Sequence, residues 1–179
     1  MHKSTGTVSK TFRFDARLAN ALEKSARRAE MTETALVTVI LRDRLSIDPL
    51  FPAFREITMS EGTFQSILSG SDSKLLIQAA PTTGRKNAQL VRELFDSYDI
   101  PLTFEDYVTV LLGRHSHWFY IEGSYSSTHQ FLTLRHSFGA AWSNFAKAYL
   151  TGVSEVLSKD KVNIESSEQY VRIAWLRAG

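Results

Sequence analysis

From Val8 to Phe14 the chain alternates. In an extended backbone Val8, Phe12 and Phe14 fall on one face and Ser9, Thr11 and Arg13 on the other, with Lys10 the one charge on the apolar side. This pattern predicts a strand, and the period then changes to that of a helix. Asp15 is a suitable N-cap for a helix running to about Ala29, with Leu18, Ala21, Leu22, Ser25, Ala26 and Ala29 on one stripe. Glu30 and Met31 interrupt that stripe. Thr32 caps a second helix that turns Ala35, Leu36, Val39, Ile40 and Leu45 inward, and Pro49 bars its continuation. One strand beside two helices cannot pair its own amides, so the segment is expected to dimerise or not to fold.

Strand, helix, tight turn and helix in this order resemble the ribbon-helix-helix family of dimeric DNA-binding proteins. The resemblance spans residues 8–45, about a quarter of the chain. It is carried by the alternating Ser9-Lys10-Thr11-Phe12-Arg13-Phe14-Asp15, the Leu18-x-x-x-Leu22 stripe and the turn Glu30-Met31-Thr32-Glu33-Thr34-Ala35-Leu36. In that turn the family usually shows a glycine, an apolar residue and a small hydroxyl cap; Glu30 stands in the glycine's place. The resemblance implies two strands paired antiparallel in the major groove of double-stranded DNA, and a phosphate held at the start of the second helix. Carried onto this chain, Ser9, Thr11 and Arg13 would read base edges. The backbone at Thr32, Glu33 and Thr34, with Lys10 and Arg17, would meet phosphates. Arg13 also suits the task on its chemistry alone, since its fork matches guanine O6 and N7, a contact worth roughly 1–3 kcal/mol of discrimination. The plainer alternative makes this the first strand of a larger sheet and Arg13 a solvated edge charge.

Charge changes the picture slightly in favour of DNA. Up to Leu45 there are nine Lys and Arg against five Asp and Glu, net +4, and beyond it twelve against fourteen, net −2. A basic head on a mildly acidic body is the footprint expected when only the head meets phosphate, although an excess this small would carry nothing alone. No apolar run approaches the roughly 20 residues of a membrane span, and residues 1–10 are polar rather than signal-like. The absence of cysteine fits a reducing, cytoplasmic location and removes thiolate chemistry.

Beyond the head (residues 1–46), Pro49 and Pro52 stiffen a linker over residues 47–52. Residues 53–179 are numerous enough for a second domain with its own core. They predict a strand over 54–59, then a helix capped by Ser60, carrying Phe64, Ile67 and Leu68 and closed by Gly70. Residues 74–80 suit a short helix or a buried strand, and 85–97 a helix burying Leu90, Val91, Leu94 and Phe95. Thr103 and Asp106 form a capping-box pair for a helix ending at Gly113. Residues 117–122 and 130–135 read as a hairpin. Ser137 caps the longest helix, to about Leu157, with Phe138, Ala141, Trp142, Phe145, Tyr149, Val153 and Val156 inward. Strands over 161–165 and 170–176 complete an antiparallel sheet, so the expected class is α+β with helices on one face.

Four of the five histidines lie between residues 115 and 136. His115, His117, His129 and His136 are the candidate ligands for a transition metal such as nickel, zinc or copper, as in metal-responsive members of the same family. The competing reading leaves His115 and His129 solvated at the hairpin ends and makes His136 a capping or core-edge residue with one hydrogen bond. His117 and His136 are also candidate polar groups for a small-molecule cleft beneath the helix over 138–157. No phosphate loop, nucleophile elbow or HExxH is present, so the expectation is not an enzyme. It is a homodimeric, sequence-specific DNA-binding regulator whose body senses a ligand, binds a partner or joins dimers into tetramers. The alternative is a metal- or small-molecule-binding protein whose head only dimerises.

Overall fold

The computed structural model describes residues 8–46, 57–125 and 129–176. The chain divides into two compact units, Met1–Glu56 and Ile57–Gly179. The expected linker over residues 47–52, the first half of the strand over 54–59 and the side chains of Leu45 and His129 lie outside what is described.

In the first unit α1 (Ala16–Arg28) and α2 (Glu33–Ser46) start where their caps predict. The Asp15 carboxylate accepts from Leu18 N at 2.9 Å, and Thr32 Oγ1 accepts from Ala35 N at 3.1 Å. The turn between them is a Schellman closure. Met31 N donates to Ala26 O at 3.0 Å and Glu30 N to Arg27 O at 3.2 Å, with Glu30 in the left-handed region at φ +53°. Glu30 therefore does the glycine's job with a Cβ, at a cost of roughly 1–2 kcal/mol. Glu30→Gly is expected to raise the stability of this unit by about 1 kcal/mol, less the entropy glycine adds to the unfolded chain. A thermal melt against wild type checks it; a lower melting temperature would show that the carboxylate contributes more than the strain costs.

Residues 8–15 form no strand in the single chain, a departure from the expected ribbon with a simple cause: among the described residues there is no neighbour to complete its ladder. Among the described residues the interior of the unit is correspondingly thin. Ala26 is buried, Leu22, Ala35, Leu36 and Val39 are half-buried, and Ile40, expected inside, is exposed.

The second unit is α+β. Its antiparallel sheet has the order β1 (Tyr120–Tyr125), β2 (His129–Arg135), β4 (Tyr170–Leu176), β3 (Val162–Ser166). Leu132 and Leu134 of β2, Val171, Ile173 and Trp175 of β4 and Ile164 of β3 are buried, while the alternating Phe131, Arg135 and Arg172 are exposed. One face is thus covered by helices and the other open. α6 (Gly139–Leu157) packs on β3 and β4, and α4 (Ser73–Ser97) runs along α6.

Several boundaries differ from the sequence expectation, each for a tertiary reason. Residues 57–59 are not in a strand, and Ile57 is 81% exposed. α3 (Glu61–Ser69) follows as expected, its cap Ser60 accepting from Thr63 N at 3.3 Å. Residues 74–80 are helical and continuous with 85–97, so α4, rather than α6, is the longest helix, capped by Asp72 and running through Pro81. Pro81 forfeits one helical bond. Its surroundings offset this, because Gly84 and Gly152 let the two helix backbones touch: a Cβ on Gly152 would lie 2.1 Å from Pro81 O, and one on Gly84 2.1 Å from Tyr149 O. That crossing rotates α4 so that Ala80, Gly84, Ala88, Val91 and Phe95 are buried and Leu90 is left exposed. The capping box at α5 (Phe104–Asp106) forms, with Thr103 N to Asp106 Oδ2 at 3.2 Å and Asp106 N to Thr103 Oγ1 at 3.0 Å. Gly113 does not end this helix. The chain widens into a π-helix, Tyr107–His115, closed by Ser116 N to Leu111 O at 2.8 Å. Gly113 is buried within it because a Cβ would meet Ile121 Cδ1 at 2.3 Å. α6 starts at Gly139 (φ +77°), not after Ser137, whose hydroxyl donates instead to Glu61 Oε1; Ala141 is consequently exposed.

Candidate nucleic-acid interface

The side chains of Ser9, Lys10, Thr11, Arg13 and Arg17 are all exposed, as are those of Thr32, Glu33 and Thr34 at the start of α2. Thr32 uses its hydroxyl for Ala35 N and its carbonyl for Leu36 N. The amides of Glu33 and Thr34 are first-turn donors that intrahelical bonds cannot reach, and they face the positive end of the helix dipole. Such a terminus suits an anionic oxygen. Glu33 can contribute only its amide, since its carboxylate sits at that same positive end and competes with a phosphate. Beside these polar groups the apolar row of the segment is uncovered: Val8 is 75% exposed, Phe12 58%, Phe14 46% and Leu18 50%. On α1, Arg27 is held by Glu23 at 2.6 Å, while Arg17, Lys24 and Arg28 are exposed.

Among the described residues the histidines of the second unit do not converge, and the His129 side chain is not among them. His117 is exposed, in left-handed backbone at φ +53°, and His115 is half-buried at the end of the π-helix. His136, half-buried at the end of β2, has both ring nitrogens engaged: Nδ1 accepts from Phe138 N at 3.2 Å and Nε2 lies 2.8 Å from Ser143 Oγ. That is two hydrogen bonds where the sequence suggested one, and neither nitrogen is left for a metal or a ligand. Among the described residues no three His, Asp or Glu are grouped to hold an ion.

The His136–Ser143 pair has the composition of a nucleophile and its base, but its geometry opposes that role. An amide N–H can only donate, so Nδ1 is the acceptor and Nε2 carries the proton in the neutral ring. His136 therefore donates to Ser143 and cannot take its proton. The Ser143 hydroxyl is fully buried, 3.3 Å from Glu168 O and 3.4 Å from Gly139 O. Sequence reasoning missed this pair, and nothing local signals it, because the two residues sit on different elements joined by a corner. It also missed a buried hydroxyl network: Tyr107 and Tyr149 meet at 2.7 Å, and Asn87 Nδ2 donates to Tyr149 at 3.1 Å. Burial pushes the Tyr149 phenol up, against the lowering effect of its bonds with Tyr107 and Asn87. This network is enclosed by packed helices and serves as a polar rivet.

Comparison with models of protein families, with curated proteins and with solved structures finds no match to this chain. Among the described residues no helix is long and apolar enough to cross a membrane.

Proposed function

We propose that the chain is a sequence-specific DNA-binding regulator of the ribbon-helix-helix kind, acting as a homodimer. Residues 8–14 of two copies pair as an antiparallel ribbon in the major groove, and the second unit serves as a sensing, partner-binding or tetramerising body. The observation that carries this reading is the uncovered row Val8, Phe12 and Phe14 lying directly before a cap-turn-cap helix pair and continued by Leu18 in its first turn. A second copy covers that row and completes the ladder at once, and it leaves Ser9, Thr11 and Arg13 on the outward face. The left-handed Glu30 adds support, since it gives the inter-helix turn the conformation for which the family uses glycine.

The reading is tested on the full-length protein by sedimentation, followed by selection of bound fragments from random duplex DNA. The expected result is a dimer and a recovered motif with two-fold related half-sites, because a symmetric protein reads symmetric DNA. A dimer that recovers no motif would sink the DNA reading and favour a head that only dimerises. A monomer would remove the family assignment with it.

A further inference from the structure

The corner from β2 to α6 is built around a neutral imidazole. His136 is pinned by its own amide, which donates to Gln169 O at 3.0 Å. Its Nδ1 closes a two-residue loop onto Phe138 N, the same closure an Asx turn makes. Its ring lies parallel to that of Phe138, with centroids 6.2 Å apart, and edge-on to Phe119 at 6.0 Å. On this corner hangs the attachment of α3. Phe138 and Trp142 meet Phe64 edge-on at 5.0 and 4.9 Å, and the Ser137 hydroxyl donates to Glu61. Among the described residues α3 has little other hold: none of its own residues is buried, and only Phe64 and Leu68 are half-buried.

Protonation would place an N–H on Nδ1 pointing at the N–H of Phe138. Two donors then face each other, the bond is broken, and the ring or the corner must turn away. We propose that His136 is a proton-operated latch on α3: the neutral ring keeps residues 136–139 closed and α3 docked, and the imidazolium opens the corner and releases it. The proposal concerns residues 57–176 only and stands or falls independently of DNA binding.

The surrounding charges leave the ring's titration to its burial. Glu61 on α3 meets the Ser137 hydroxyl, Glu168 beyond β3 offers its backbone carbonyl to Ser143, and Arg135 on β2 pairs with Glu122 at 2.9 Å. His117, near Phe119, is exposed, and Tyr149 on α6 is tied to Tyr107 and Asn87. Burial holds His136 below the ordinary imidazole value of 6.5. The opened chain therefore binds the proton more readily than the latched one, so the latch is at full strength above pH 6.5 and weakens as pH falls below it.

Amide hydrogen exchange of the full-length protein between about pH 8 and about pH 5, corrected for intrinsic rates, tests this. Amides over residues 61–69 are expected to lose protection as pH falls from 6.5 towards the titration of the latched His136, by up to about tenfold per pH unit, the limit set by one proton. Those of β2 and β4 should stay protected. In His136→Asn, which keeps an acceptor for Phe138 N but cannot titrate, α3 protection should be flat over the same range. Should that variant not fold, the wild type alone decides: the loss of α3 protection must level off at the pH where the His136 ring, followed by NMR, titrates. Protection of α3 that ignores pH, an unchanged dependence in His136→Asn, or a loss that continues below the ring's titration would each overturn the latch.

Discussion

Gly84→Ala is expected to destabilise the second unit by about 3 kcal/mol, the upper end of the overpacking range, and Gly152→Ala by a similar amount. The atoms that a new methyl would strike are backbone: Tyr149 O at 2.1 Å, Tyr149 C at 3.0 Å and Val153 N at 3.3 Å for Gly84, and Pro81 O, C and Cα within 2.9 Å for Gly152. No side-chain rotation relieves such overlaps, so the helices must separate, and the buried Ala80, Ala88 and Val91 of α4 lose their packing together. For a chain of this size the loss corresponds to a fall in melting temperature of roughly 6–12 °C. The double variant should cost less than the sum, because both methyls force the same separation. Gly62→Ala, with nothing within 4 Å of the added methyl, is the control and should be neutral or slightly stabilising. Denaturant melts of the variants beside wild type decide it. A loss below about 1 kcal/mol at both glycines would mean that α4 and α6 do not touch through their backbones.

Arg13→Ala is expected to abolish most of the preference for the selected site. If each copy's guanidinium makes one bidentate contact with guanine, its removal costs roughly 1–3 kcal/mol per half-site, about fivefold to 150-fold in the ratio of specific to random binding for each, and the losses at the two half-sites multiply. Lys10→Ala and Arg17→Ala should behave differently, weakening cognate and random duplex alike and reducing the salt slope by about one for each phosphate no longer neutralised. The measurement is the pair of dissociation constants for each variant at one fixed salt concentration, with a salt series for the two charge variants. An Arg13→Ala protein that lowers both affinities equally would reduce Arg13 to a phosphate ligand and move base reading to Ser9 and Thr11.

The helix starts at Asp15, Thr32, Ser60 and Thr103 were all legible in the chain, because a cap is an agreement between residues three apart and needs nothing else folded. So were both strand pairs, whose alternation records which face is buried, although β1 runs over Tyr120–Tyr125 rather than the expected 117–122, with His117 in left-handed backbone ahead of it. The candidate DNA-reading residues Ser9, Thr11 and Arg13 rest on sequence alone, as one half of an alternating run, and the fragment selection is what tests them. What tertiary structure alone decided lies where distant backbone sets the terms. Pro81 reads locally as a break, yet α4 continues through it because Gly152 admits its carbonyl. Gly113 reads as a stop, yet its missing side chain makes room for Ile121. Ser137 reads as a cap, yet its hydroxyl is taken by Glu61, from an element 76 residues away, and the histidine before it closes the corner instead. Whether residues 8–14 are a strand belongs to this second class: the alternation is written in the chain, but a ladder needs a partner, and the sequence of one chain cannot supply the second.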